Sequence, residues 1–393
     1  MRARRKSRGG ESELVRSAVG RWIREHRERQ NLSQEDLCRF LSRQGLEVSA
    51  TTLSRWERGE RSPSVEVLAL VGRELGLSLS SLEERIGSVL ARSREEVDVT
   101  GRTPGELVEE ADRAARAGNY RRALVVLEAA DDALRLGERK PGEEELAGIL
   151  LRLAAAHMNL WHLELAREAL ARYGALADRV PEVRFRGLVY RLYLEIRAKD
   201  WGMADILTPR ILEAVGSAPR RVRAEALQVV GLGRYHRGDF PGAVDWLTRA
   251  REGWRELKEA VEEARVGAFE GYARAASGDA DRGEKLVVGS AGLARRRGLR
   301  DVEVLSLHFW GRVKALQGDV EAAVEKLLDA AGRARALELR EMEFQALYRA
   351  WEITGGERFE TELRRLLRFV SPWMEEAREF RRRIGPALEE DRR

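Results

Sequence analysis

Residues 31–63 read NLSQEDLCRFLSRQGLEVSATTLSRWERGERSP, and their caps, apolar positions and stops describe two short helices joined by a turn. Ser33 ahead of Gln34, Glu35 and Asp36 is an N-cap with acid in the first turn, which suits the positive end of a helix. Leu37, Phe40 and Leu41 then form an apolar stripe at three- and four-residue spacing. Ser49 opens a second helix in the same way. Leu53 and Trp56 supply its apolar face, Ala50, Thr51, Thr52, Ser54 and Arg55 fall on its other sides, and Gly59 stops it. Small polar residues and an arginine are what a helix needs in the major groove, where base edges present distinct donors and acceptors. Arg58 and Arg61 follow closely, within reach of phosphates.

The stretch resembles the Xre/Cro-type helix-turn-helix family, over roughly residues 12–90. Its elements are Gln34 at the start of the first helix, the run Ser54-Arg55-Trp56-Glu57-Arg58-Gly59, and Pro63 ahead of a further helix over 65–75. The resemblance implies a five-helix DNA-binding domain. In it Ala50, Thr51, Ser54 and Arg55 face base edges, Gln34, Arg43, Arg58 and Arg61 approach the backbone, and Glu57 buttresses the loop behind the reading helix. Arg55 is the first choice for base reading, since one guanidinium can bond O6 and N7 of a guanine together. For any of these arginines taken singly, a solvated helix face is the competing reading. The passage Arg43-Gln44-Gly45-Leu46-Glu47 is longer than the family's tightest turns, so the first helix of the pair is expected to be extended.

Charge follows the same division. Residues 1–90 hold 17 Lys and Arg against 13 Asp and Glu, whereas the rest of the 393-residue chain holds 54 against 53, so nearly all of the net +5 belongs to the first part. Arg2, Arg4, Arg5, Lys6 and Arg8 lack an apolar period, and residues 1–11 are expected to be a disordered basic arm that follows phosphates or serves only solubility. A single cysteine, Cys38, excludes an internal disulfide and a cysteine-based zinc site, and its place near the apolar side of its helix makes it a small core residue. No apolar run is long enough to span a bilayer, and no apolar signal region follows the basic start; a cytoplasmic protein is expected.

Beyond a linker at 91–103 the chain becomes periodic. A turn of glycine, a small or aromatic residue and then alanine recurs at Gly118 to Ala123, Gly238 to Ala243 and Gly318 to Ala323, with a variant at Gly278 to Gly283 and looser forms at Lys199 to Ala204 and Trp161 to Ala166. The marks fall near every 40 residues. Gly231, Gly271 and Gly311 precede three of these turns by seven residues, where helices can approach closely. Apolar residues between the marks keep helical spacing, and sustained alternation of the strand type is absent. The fold class is therefore all-α. A repeat of two antiparallel helices resembles the tetratricopeptide family, which implies an α-solenoid over 104–393 with six pairs, a degenerate seventh over 339–370 and a capping helix from Pro372. The whole arrangement is similar to Xre-family regulators with tetratricopeptide-like sensor domains, some of which read peptide pheromones.

Catalytic motifs are missing: there is no phosphate loop, no HExxH, and no strand followed by GxGxxG. His157 and His162 are five apart, off a common helical face, and His26, His236 and His308 stand alone. Neither an enzyme nor a cofactor or metal site is expected. The resemblance implies double-stranded DNA with an inverted-repeat operator, a homodimer held by the repeat domain, and a peptide or small effector as partners. Candidate effector contacts are Asn159 and a basic ladder of Arg234, Arg274 and Lys314, four residues before successive turn glycines. A solvated or intrahelical ion-paired role is the competing reading for the ladder. A scaffold that recruits a partner protein to DNA is the alternative function. Phe369, Trp373 and Phe380 near the C-terminus are expected to supply dimer surface.

Overall fold

The computed structural model describes residues 2–75, 77, 79–94, 102–136, 142–177, 181–370 and 374–390, and among them no strand occurs. Two compact units are present. The first comprises residues 1–102 together with His162–Glu168. Its helices are α1 (Arg2–Arg29), α2 (Gln34–Arg43), α3 (Ala50–Glu57), α4 (Val65–Glu74) and α5 (Leu79–Arg94). Ser33, Ser49 and Ser64 cap α2, α3 and α4, each side chain accepting a backbone N–H from the residue three positions on. Trp22, Ile23, Leu37, Leu41, Leu53 and Val71 are fully buried in one small core, and Trp22 donates its indole N–H to Ser81 at 3.1 Å.

Several expectations change here. Residues 2–11, expected as a separate basic arm, are helical, because α1 begins at Arg2 and the arginine-rich segment without proline continues across Gly9 and Gly10. The first helix of the pair is not extended: α2 ends at Arg43, and Gly45 turns the chain with φ of 83°. Residues 91–94 of the expected linker belong to α5, and 95–101 lie outside the described residues. His26, thought to stand alone, contacts the Trp22 carbonyl at 2.7 Å and lies 3.3 Å from Glu168. Burial opposes ionisation of Glu168, but the hydrogen bond from His26 and the charge of Arg85, which donates at 2.9 Å, hold its pKa down to about 2. Glu84 accepts the backbone N–H groups of Glu164 and Leu165, each at 3.0 Å, and burial pushes its pKa up to about 7.

The second unit is an array of helix pairs. They are α6 (Pro104–Arg116) with α7 (Tyr120–Leu136), α8 (Glu143–Asn159) with α9 (Leu163–Ala177), and α10 (Pro181–Ala198) with α11 (Trp201–Ala214). Next come α12 (Arg220–His236) with α13 (Phe240–Glu256), α14 (Ala260–Ala276) with α15 (Ala280–Arg297), and α16 (Arg300–Leu316) with α17 (Val320–Ala336). The seventh pair is α18 (Arg340–Thr354) with α19 (Glu357–Leu366), and α20 (Glu375–Glu390) closes the array. Among the described residues no helix is long and apolar enough to cross a membrane.

The 40-residue marks are the turns inside the pairs, and their chemistry is explicit. Gly118, Gly238, Gly278 and Gly318 take positive φ, ending the first helix of each pair, and Asp239, Asp279 and Asp319 then cap the second by accepting the N–H three residues on. The looser turns reach the same left-handed conformation with Trp161 and Lys199, residues that adopt it only when the packing around them requires it. Gly231, Gly271 and Gly311 sit where neighbouring helices touch. A Cβ at Gly271 would lie 2.5 Å from Val287 Cγ2 and 2.8 Å from the Gly283 carbonyl oxygen. The array also meets itself across a long sequence interval, for Tyr120 donates its hydroxyl to Asp301 at 2.9 Å. At the C-terminal end Phe380 is fully buried against Phe344 and Trp351 and offers no surface; Phe369 is half exposed, and Trp373 lies outside the described residues.

Gly271→Leu is expected to destabilise the array by about 1–3 kcal/mol, since the added bulk meets backbone as well as side chain. Gly289→Ala, where a Cβ meets nothing within 4 Å, should leave stability unchanged or raise it by up to about 1 kcal/mol. Thermal unfolding of the two full-length variants makes the comparison, and equal midpoints would refute the close approach.

Candidate DNA-reading helix and inner repeat face

Helix α3 buries Leu53, Trp56 and Glu57 and leaves the remaining sides open. Thr51 and Arg55 are exposed, while Ala50 and Ser54 are half-buried. Among the described residues Arg55 has no ion-pair partner, and neither do Arg43 and Arg61, which are also exposed. The other candidates are already engaged. Arg58 donates to Glu60 at 2.7 Å and 3.3 Å and to the Ser54 hydroxyl at 2.7 Å, so it lies across the face that Ser54 was expected to offer freely. Gln34 is drawn inward, donating to Glu57 at 2.7 Å, instead of standing free for the DNA backbone.

Glu57 is the pivot of this region. Its two carboxylate oxygens accept from Arg27 Nε at 2.7 Å and Nη2 at 3.2 Å, and a third Arg27 N–H reaches the Leu32 carbonyl at 2.6 Å. The bidentate pair ties α1 to the end of α3 and to the turn before α2. Hydrogen bonding to Glu57 reinforces the charged form of Arg27, more than offsetting burial. Burial raises the pKa of the Cys38 thiol, which sits in the core. Among the described residues no group of His, Cys, Asp and Glu could hold a metal ion.

Each residue of the basic ladder is ion-paired, as the competing reading had it. Arg234 pairs with Asp239 at 3.0 Å, Arg274 with Glu270 at 2.8 Å, and Lys314 with Glu284 at 2.7 Å. Arg274 and Lys314 face neighbouring second helices, and Arg274 also donates to Thr248 of α13. Asn159 is exposed at the end of α8, apart from all three. The residues that do converge are two columns nearer the repeat glycines. Phe269 and Phe309 occupy one, Tyr272 and Arg312 the other, with Tyr235 in ring contact with Phe269, Tyr272 and Phe309. The 40-residue register contained this signal, because 269 and 309, like 272 and 312, are equivalent positions.

A five-helix unit built in this way, with a capped and solvent-facing third helix, is a helix-turn-helix domain, here followed by an α-solenoid. Residues 23–82 match the helix-turn-helix family model HTH_3. No curated protein matches the chain. Among solved structures the chain is similar to the apo form of RapI, at 13% identity and TM-score 0.46, covering 72% of this chain and 81% of that one. It is similar also to ComR from S. thermophilus in complex with DNA and its signalling peptide ComS, at 17% identity and TM-score 0.34, covering 85% and 99%. Bacillus thuringiensis PlcR in complex with the peptide PapR7 and DNA gives 11% identity and TM-score 0.32, covering 82% and 99%. Likeness at this level defines neither the DNA site nor the ligand of this chain.

Removing Glu57 would strand a buried guanidinium. Glu57→Ala should therefore destabilise the first unit by about 3–5 kcal/mol, against about 0.5–1.5 kcal/mol for Gln34→Ala. Amide exchange in α1 and α3 measures both; similar losses in the two variants would remove Glu57 from its central role.

Proposed function

We propose that the chain is a sequence-specific DNA-binding transcriptional regulator whose repeat domain dimerises and senses a peptide or small effector. The observation that carries the DNA half is the outer surface of α3, where Thr51 and the unpaired Arg55 face solvent on a helix whose other side is locked by Trp56 and the Arg27–Glu57 pair. A rigid helix with a free guanidinium is preorganised to enter the major groove. Arg43 and Arg61 are proposed phosphate contacts. Arg58 is proposed to reach DNA as well, after exchanging Glu60 for phosphate.

Dimerisation is assigned to the repeat domain because the small first core uses its own large apolar side chains internally. Exposed Val288 and Leu328, at equivalent positions on α15 and α17, are the kind of surface a second copy would cover. A two-fold dimer would present two copies of α3 to half-sites, so the operator is proposed to be an inverted repeat. ComR and PlcR were solved with signalling peptides, and an effector is proposed here on the chemistry around Tyr235, Tyr272, Phe309 and Arg312.

Selection of bound sequences from a random duplex pool tests the DNA-reading surface. Arg55→Ala is expected to cost about 1–3 kcal/mol of specific binding and to relax one or two base positions, whereas Arg58→Ala should weaken all sequences alike. An unchanged motif for Arg55→Ala together with an altered one for Arg58→Ala would reverse the two roles.

A further inference from the structure

Many arginines of the repeat domain are neutralised by a neighbouring carboxylate. Arg186 meets Glu225 at 2.7 Å, Arg251 meets Glu270 at 2.6 Å, and Arg335 meets Glu343 at 2.6 Å. Arg312 and Arg197 are held differently. Arg312 of α16 is half-buried, with its guanidinium carbon 3.8 Å from the Tyr272 ring centroid and 5.5 Å from that of Phe309. One N–H donates to the Tyr235 hydroxyl at 2.8 Å, and among the described residues no carboxylate pairs with it. Arg197 of α10 lies 3.9 Å over the Trp161 ring and donates to the Met158 carbonyl at 3.0 Å; its Nε is buried with no hydrogen-bond partner, and no described carboxylate pairs with it either.

Among the described residues neither cation has an ion-pair partner, although the buried Glu341 carboxylate feels the charge of Arg197. His236, at the end of α12, feels Arg197, Lys199 and Arg312 together; crowding by protein and these like charges oppose its protonation, while Glu375 favours it. Lys199 is already paired with Glu375, and Arg349 with Glu352 and Glu376. His308 lies one helical turn before Arg312. It is only 9% exposed, and its Nδ1 has no hydrogen-bond partner. Burial and the charges of Arg312 and Arg349 keep its imidazole neutral. Positive charge on aromatic faces, with unused N–H groups and an unpartnered buried imidazole nitrogen nearby, is the complement of a planar anion.

We propose that Arg312, set against the Tyr272 ring and the Tyr235 hydroxyl, forms the anchor of a binding site for a carboxylate joined to an aromatic or flat apolar group. The carboxylate takes the free guanidinium N–H groups, and the apolar part lies against Tyr272 and its neighbouring rings. The proposal rests on the effector reading above and names the chemistry of that effector: a free acid or the C-terminal end of a peptide.

Ligand-observed saturation-transfer NMR on the full chain tests it with three probes: N-acetyl-phenylalanine, N-acetyl-phenylalaninamide and phenylacetate. N-acetyl-phenylalanine should bind about tenfold more tightly than its amide, the difference made by a charge-assisted hydrogen bond. Arg312→Met should erase that difference while still binding the amide, which shows that the variant keeps its aromatic shelf. Phenylacetate binding as well as N-acetyl-phenylalanine would assign the site to free acids; preference for the acetylated amino acid would assign it to peptide ends. Equal binding of acid and amide to the natural chain, or an acid preference that survives in Arg312→Met, would overturn the proposal. Selection of DNA by α3 is measured separately, so a failure here with intact DNA selection would discard the carboxylate anchor and leave the DNA-reading assignment standing.

Discussion

A carboxylate withdrawn from water needs a partner of opposite charge, and this constraint decides where the arginines around the buried glutamates point. Glu57 fixes the end of α3 through Arg27 and Gln34. Glu270, fully buried, gathers Arg251, Arg274 and Thr248 between α13 and α14. Glu343, equally buried, takes Arg335 and Arg340 between α17 and α18. Breaking such a pair leaves the remaining charge dry, so the pairs hold the helices in register more firmly than their surface counterparts do. Arginines without an ion-pair partner among the described residues stand out where they are placed for a ligand: Arg55 on α3, and Arg312 on α16 against the Tyr272 ring.

The helix-turn-helix was legible because its signals are local. Serine caps, an apolar stripe and a stop glycine act within a few residues, and Ser33, Ser49 and Ser64 cap the helices that follow them. The solenoid was legible for a related reason: a turn that needs a left-handed residue and then an N-cap writes glycine and aspartate at a fixed period, and one pair can bury its apolar face only against the next. Trp161 and Lys199 were weaker marks because nothing in their side chains advertises the left-handed conformation they adopt.

Side-chain partners across sequence were not legible. Gln34 could be placed at the start of α2, yet its turn toward Glu57 depends on a contact 23 residues away. Arg234, Arg274 and Lys314 recur at one register position, but two residues on a helix correspond to more than half a turn, which separates the flank facing a neighbouring helix from the inner face. The repeat register therefore gave the ladder a common position without showing its carboxylate partners, while the columns at 269, 272, 309 and 312 converge on one another. The basic segment 1–11 misled in the opposite sense: lack of an apolar period argues against packing, and says little against a helix that needs none.

The central claim is that the exposed side of α3 reads DNA sequence. Its most direct measurement is the affinity of the full chain for the duplex enriched from a random pool and for a shuffled duplex of the same composition, at several salt concentrations. The account predicts that the enriched duplex binds at least about a thousandfold more tightly at physiological salt, with both affinities falling as salt rises. Equal affinity for the two duplexes across the salt series would contradict it, leaving only a basic surface that holds phosphate without reading bases.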